Sequence, residues 1–561
     1  MNTDEIKKIK TKKGQLLDEY GRPILRTNNK ILASGYSNAA ASLTKPIFKG
    51  WEYRGGSADD DIVANVQIMR ERCRMVAMED PVFSGTIDTL CDYTIGTGLV
   101  PQAVPDEDYL REAGISDSVI NKFKSDSSRF WDVYAEYPHC DVYHRDNLYE
   151  LMRLACRSAD DSGDVFVTTP RFSHGNYDLF DLKIQVIEAD CCADPDSIDK
   201  LEAEINGHDI YGGVEIDQWG RVRGYWFYTG HPLSRRQHTF NHYGQKYPRW
   251  IFIPAFGPET GEPMALHIME SKRPGQRRGI PIFAPSLEMA LMISQYMRAE
   301  TIAARIQALF TLVITSENPD ATAGEMTGME GEYGQSLTDG DESLIALGNG
   351  IVQYARPGEK IESVNPSRPT SSFAPFMETG YMAIGASILP YEKMMKRYGQ
   401  SFSASKAANN DAKVKIKIRR GNFVGDFCQP VRSALITECA MKGFIEVPGF
   451  FENRMLRNAW LRCKWSGIGM PQIDENDFVK GAKEMIALGL STATEQSSEL
   501  NGSDFFENLA VRSREIKAAV DAGLSKGAAQ GLTSAMANIT DDNTGQADQA
   551  NANQAGGNQG G

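Results

Sequence analysis

A mixed α+β chain of several structural regions, organised around one long helix, is the fold class this sequence predicts. Three observations carry the prediction. At 561 residues the chain exceeds what one hydrophobic core normally supports, so two or more regions are expected. Between Asp164 and Tyr228 lie four strand-like runs, DVFVTTPRF, LKIQVIEAD, GGVEID and RVRGYWFYTG, separated by turn residues. From Pro285 to about Leu312 no later Gly or Pro interrupts the chain, and Met289, Ile293, Tyr296, Ala299, Ile302, Ile306 and Leu309 recur at steps of three and four. Such a helix would reach roughly 40 Å at 1.5 Å per residue, longer than an average globular helix.

Residues 1–57 open with a Lys-rich cluster (Lys7, Lys8, Lys10, Lys12, Lys13) and an Asn/Ser/Ala stretch, and read as a solvated, flexible basic arm. Asp61 to Asp92 reads as helix in two pieces split near Pro81, with Ile62, Val66, Met69, Cys73, Val76 and Met78 on one side of the first. Gly96-Thr97-Gly98 follows; a dinucleotide loop would need a third glycine where Pro101 stands, so the pair reads as a tight turn between helix and strand. Ahead of the long helix, Pro274, Gly275, Gly279 and Pro281 punctuate a basic turn, and Pro285 suits a first helical turn, where its missing N–H costs nothing.

Beyond that helix, from near Glu317, an acidic Gly/Thr-rich segment contains GEMTGMEGEYGQSLTDGD, and SLIALGNGIVQYARPGEKIESV reads as two short strands around a turn. A second helix starts between Ser371 and Pro375, with Phe373, Phe376, Tyr381, Ile384 and Ile388 as its stripe. Gly380, Ala383, Gly385 and Ala386 let a neighbour approach closely. Pro390 and YEKMMKRYGQSFS end it in an exposed basic loop, with Lys393, Lys396 and Arg397 beside Tyr398, Lys406 just beyond, and Met394-Met395 as a flexible pair. SASKAANNDAKVKIKIRRGNFVGDF resumes as helix. Ile473 to Gly489 is helical with Asp474 as candidate N-cap and Gly489 or Gly502 as stops, and Phe505 to Leu524 is another helix. From Thr540 onward apolar residues nearly vanish, which predicts disorder.

Composition narrows the function. With 41% apolar and 24% charged residues the chain is ordinary for a globular protein, and it has no run of eighteen apolar residues to cross a membrane. The N-terminus has charge but no apolar core of a secretory signal. The nine cysteines form no C-x-x-C pair and read as reduced, mostly buried thiols. A net charge of −14 argues against a sequence-specific DNA binder, which needs a basic face.

Catalytic signatures are missing: no P-loop, no G-x-S-x-G elbow, no H-E-x-x-H. His139, Cys140 and His144 approach metal-ligand spacing without a second ligand pair, so neither metal nor cofactor is expected. The carboxylate clusters Asp160, Asp161, Asp164 and Glu188, Asp190, Asp194, Asp196 depart from calcium-loop spacing and read as turns and caps. No enzyme is predicted.

Five segments in register give a positive reading. RPGQRRGIPIFAPSLEMALMISQYMRAETIAARIQALF resembles the approach to the stem helix of lambda-type phage portal proteins. In the same order, ERCRMVAMEDPVFSGTIDTLCDYTIGTGLVPQ, IQVIEADCCADP, GGVEIDQWGRVRGYWFYTGHP and RPTSSFAPFMETGYMAIGASILPYEKMMKRYGQSFSASKAA resemble that family too, over roughly 60–490. The resemblance implies a portal fold: an α/β wing over 58–280, a stem helix over 281–314, a small α/β clip over 315–370 and a second stem helix over 371–391. A tunnel loop (392–408), a wing helix and return segment (409–470), a helical crown (471–535) and a disordered tail (536–561) would follow.

It further implies a dodecameric ring at one capsid vertex, a component of the virion assembled in the host cytoplasm, contacting scaffold and major capsid proteins. Clip residues Glu317, Asp320, Glu325, Glu330 and Glu332 would face the large terminase subunit and later the head-completion proteins. Lys393, Lys396, Arg397, Tyr398 and Lys406 would line the channel for double-stranded DNA of any sequence, and Lys413, Lys415, Lys417, Arg419 and Arg420 would extend the field or form inter-subunit ion pairs. The Lys-rich arm would alternatively touch DNA or the shell. KRYGQSFSASKAA departs from the acidic residue and N-Y-S-S-x-R-type run more usual in the family, which leaves open which cation reaches DNA. The alternative reading is a non-channel head–tail adaptor or another structural protein of the virion.

Overall fold

The structure is a computed structural model describing residues 55–173, 175, 178–196, 200, 203–234, 249–309, 313–316, 359–362, 373–397, 401–469 and 475–522. The expected basic arm, apart from its last residues, and the C-terminal tail lie outside these residues, as does most of the segment between the two expected stem helices.

Helix formation follows local chemistry. Ser57 caps Ala58–Val63 by accepting from Asp60 N–H. The expected break falls at Asp80, which is extended, ends helix Val66–Glu79 and caps Pro81–Thr94 by accepting from Val82 N–H, with Pro81 in the first turn. The inner face of Val66–Glu79 differs from the expected stripe. It runs Val66, Arg70, Cys73, Ala77, while Met78 is 78% exposed. Arg70 takes a core position because a buried carboxylate awaits it (below), and that rotates the face.

Helices Asp117–Ala135 and Leu148–Ser162, the latter with an Asn147/Glu150 capping box, pack with Pro81–Thr94 around the main core of Phe83, Leu90, Phe123, Trp131, Met152 and Trp460. Gly96 and Gly98, at φ 63° and 129°, make the predicted turn from helix into strand β1, Val100–Ala103. Its partner could not be read locally: β1 pairs antiparallel with β11, Cys463–Ser466.

β2 (Asp164–Thr168) is the centre of a three-stranded antiparallel sheet between β3 (Gln185–Glu188) and β8 (Ala265–Met269). A meander of β4 (Asp209–Tyr211), β5 (Val214–Ile216), β6 (Val222–Tyr228) and β7 (Trp250–Pro254) forms a second sheet. A smaller core of Phe166, Val214, Tyr225 and Phe227 joins the two. The four sequence runs yielded β2, β3, β5 and β6, whereas β4, β7 and β8 went unassigned.

Pro285 sits in a 3₁₀ turn, Ala284–Ser286, that leads into helix Leu287–Leu309. β9 (Val313–Ser316) follows and pairs antiparallel with β10 (Glu359–Glu362). Of the two strands expected in 343–364, β10 is the second; the first lies outside the described residues. Helix Phe373–Gly385 packs on Leu287–Leu309 at Gly380, where an added Cβ would stand 2.5 Å from Ile293 Cδ1, so the small residue permits the close crossing foreseen from sequence. Tyr296 meets Phe376 edge-on nearby, at 4.9 Å between ring centroids.

Ser401 caps helix Phe402–Phe423, which continues through a π-turn (Val424–Cys428) into Gln429–Met441, further than the sequence suggested. Gln429 N–H donates to Val424 C=O, a wider i→i−5 ring that lets Pro430 follow without ending the helix. Helices Glu475–Ala487, Ala493–Leu500 and Phe505–Asp521 complete the described chain; Gly489 and Gly502 both adopt positive φ after the first two, as helix stops do.

Candidate functional site

The segment joining helix Phe373–Gly385 to helix Phe402–Phe423 carries the cations that sequence singled out. It does not begin as a loop. Pro390 precedes a one-turn helix, Tyr391–Met394, whose Tyr391 and Met394 are buried in the main core. Met394 is therefore an anchor and not half of an adaptable pair. Lys393 is held half-buried, its Nζ 5.7 Å from the centroid of the Tyr93 ring, and burial pushes its pKa down. Lys396 takes a left-handed conformation at φ 51° and reverses the chain, and both it and Arg397 are exposed. Arg397 N–H donates to Glu392 C=O at 3.1 Å, and its guanidinium lies 3.7 Å from Glu378. Lys406 is exposed near the start of the next helix, and Tyr398 lies outside the described residues. The geometry thus presents Lys396 and Arg397 together at a turn and turns Lys393 inward.

The next five cations are used differently from the expectation that they extend this field. Lys413 lies 5.2 Å from the Phe478 ring centroid, Lys415 reaches Ser387 C=O, and Lys417 pairs with Glu499 at 3.1 Å. Arg419 pairs with Asp160, and Arg420 donates to the carbonyls of Tyr93, Thr94 and Ile468 at 2.8–2.9 Å. Each finds its partner within the chain, so together they staple helix Phe402–Phe423 to its surroundings.

A second charged constellation went unseen in the sequence. Asp164, at the start of the fully buried strand β2, is 0% exposed at its side chain and Arg278 2%. Arg278 Nε and Nη2 donate to the two Asp164 oxygens at 2.7 and 3.2 Å, and its remaining N–H groups donate to the carbonyls of Ala189, Cys192 and Gly212 at 2.5–2.8 Å. Arg70 adds a 3.1 Å pair, and His267 and the Gly279 N–H complete the carboxylate's partners. Burial alone would raise the Asp164 pKa; Arg278, the His267 hydrogen bond and Arg70 outweigh it and hold the group far below the usual carboxylate range. In the sequence Arg278 is part of a basic turn, and no local signal distinguishes it from Arg277.

The remaining clusters are also accounted for. His139 and His144 meet at 2.8 Å, but Cys140 between them is buried and its thiol donates to Tyr137 C=O. Asp160, Asp161 and Asp164 separate toward Arg419, Arg157 and Arg278; Asp190 pairs with Arg70 and Arg74, Glu188 with His231. These acids mostly serve ion pairs rather than the turns and caps expected of them, although Asp194 does accept from Gly213 N–H. The acidic candidates Glu317, Asp320, Glu325, Glu330 and Glu332 lie outside the described residues.

Comparison with known proteins gives a consistent picture. The sequence model of the family described as "Phage portal protein, lambda family" matches residues 44–420. The portal protein of Escherichia phage N15 is 23% identical over 497 residues, covering 85% of this chain and 89% of that protein. Portal protein B of Escherichia phage lambda is 22% identical over 497 residues, covering 85% and 88%. Among solved structures, the neck of an empty GTA particle aligns with 78% of this chain and 94% of its own at 12% identity, but its TM-score of 0.37 is too low to bear on the fold.

Proposed function

Because the chain belongs to the lambda family of phage portal proteins, and is thus a portal protein of a phage-like particle, we propose that twelve copies close into a ring around an axial channel at one capsid vertex. The observation that carries this reading is the unspent apolar surface of helix Leu287–Leu309. Ala290 and Ile293 are buried, whereas Met289, Leu291, Met292, Met297 and Ile302 are exposed around the rest of it. A helix that is apolar on most sides is built to be covered on most sides. In a ring, identical helices flank it left and right.

The turn bearing Lys396 and Arg397 would then face the channel once per subunit, a circle of cations suited to phosphate and indifferent to base sequence. The acidic segment between the stem helices would dock the large terminase subunit during packaging and head-completion proteins afterwards. Scaffold and major capsid proteins would surround the ring as it assembles in the host cytoplasm, with ATP hydrolysed by the terminase. Electron microscopy of the purified chain, with its mass in solution, tests the ring: annular particles with an open axis are expected. A compact small oligomer without a channel would overturn the reading in favour of a head–tail adaptor. For the channel-facing turn, Lys396→Glu with Arg397→Glu should leave rings intact and reduce packaged DNA, and normal packaging by that variant would remove the assignment.

A further inference from the structure

Two core helices face each other with chemistry that neither the ring nor the channel uses. Cys91 and Thr94 are three residues apart on helix Pro81–Thr94, and Cys156 and Asp160 are four apart on helix Leu148–Ser162, so each pair shares a helical face. The faces meet. One atom from each of Cys91, Cys156 and Asp160 lies within 4.8 Å of the other two, and Cys91 Sγ is 3.9 Å from Asp160 Oδ2. With metal–sulfur bonds of about 2.3 Å and metal–oxygen bonds of about 2.0 Å, a tetrahedral ion spans ligand-to-ligand edges of roughly 3.5–3.8 Å. Side-chain rotations that move atoms by about an ångström would close the set at the bond lengths zinc prefers.

Three further observations point to the same place. Arg419 occupies Asp160 Oδ1 and leaves Oδ2 toward the thiols. Thr94 Oγ1 is buried without a hydrogen-bond partner among the described residues, and Thr94, Cys156, Asp160 and Arg419 line a cavity of about 70 Å³, large enough for water. On binding, both thiols would release their protons, and two thiolates and a carboxylate against one guanidinium would then leave two negative charges, which a single divalent cation cancels.

We propose that Cys91, Cys156 and Asp160 form a site for a thiophilic divalent cation of the zinc type, with a water in the fourth position hydrogen-bonded by Thr94. The ion would tie helix Pro81–Thr94 to Leu148–Ser162 and, through Arg419, to the helix that follows the Lys396 turn. No local motif announces such a site, because its ligands would come from two helices some sixty residues apart in the chain.

Cobalt(II) titration of the purified full-length chain tests the site. One equivalent per chain should give a thiolate-to-cobalt charge-transfer band and visible bands of a tetrahedral centre, both displaced by zinc. Cys91→Ser with Cys156→Ser should abolish them, Asp160→Asn should weaken cobalt binding at least ten-fold, and Cys191→Ser should leave them intact. A folded native chain without such bands overturns the site, as does their survival in the double variant. If the double variant fails to fold, the native titration alone still decides.

Discussion

Arg278 shows how much one side chain can hold together. All five of its guanidinium N–H groups are engaged, by Asp164 and by carbonyls from three separate positions in the chain. Arg278→Ala would leave Asp164 with fewer cations and take a donor from three carbonyls, so a loss of about 3–5 kcal/mol is expected from denaturant unfolding. Arg278→Lys keeps the charge but not the fork, and should also lose stability, though less. Acid titration separates two carboxylates whose pKa values are shifted in opposite directions. The folded Asp164 pKa is depressed, so its contribution is present above the unfolded value of about 4 and fades as pH falls below it. Asp161 is pushed up to about 6, by burial first, with Asp160 adding to the rise and Arg157 opposing it. Between about pH 4 and pH 6 the folded chain therefore holds a proton there that the unfolded chain releases, and stability falls as pH rises through that window. Asp161→Asn should flatten that part of a melting-temperature profile, and an unchanged slope would contradict the assignment.

Among elements, close crossings are set by glycine. Gly163, at φ 91°, ends helix Leu148–Ser162 directly against Gly279 of the basic turn; a Cβ on Gly279 would run into the Gly163 carbonyl, and one on Gly163 into the 279–281 backbone. Because the obstacle is backbone and cannot rotate away, Gly279→Ala should cost at least about 1–3 kcal/mol, measurable as a lowered urea midpoint. Gly380 behaves differently. Its neighbour is the flexible end of Ile293, so Gly380→Ala should be tolerated, helped by up to about 1 kcal/mol of helix propensity, while Gly380→Leu should force the two long helices apart and lower the melting temperature. Element types and several ends were readable because their causes are local: Pro81 after Asp80, the Gly96–Gly98 turn, Gly489 and Gly502. The phase of helix Val66–Glu79 was not, since apolar periodicity cannot anticipate an arginine drawn inward by Asp164.

For the molecule as a whole, surface composition decides what remains to be covered. The exposed Met289, Leu291, Met292, Met297 and Ile302 of the long helix are the largest such set on one described helix near the proposed subunit contacts. Leu291→Glu with Met292→Glu should leave the monomer's melting transition nearly unchanged, because neither side chain is buried within the chain, and should shift sedimentation from ring to monomer. Rings forming normally in that variant would place the subunit contact elsewhere. Distant pairings such as β1 with β11 tie residues near 100 to residues near 465, so truncation after Met441 should expose the edge of β1 and reduce soluble yield.

Read alone, the sequence determined the mixed fold class, the positions of the long helices, the strand-rich stretch and the family, because hydrophobic period, turn residues and shared words are local signals. Only the tertiary structure decided which charges are spent and which are offered. Arg278 of the basic turn, and Arg419 and Arg420 of the run expected to extend the DNA field or pair between subunits, are consumed by partners from elsewhere in the chain, while Lys396 stays exposed on a left-handed turn, beside an exposed Arg397 that pairs with Glu378. A buried charge must find compensation within hydrogen-bonding distance, and that distance is a property of the fold that no window along the chain contains.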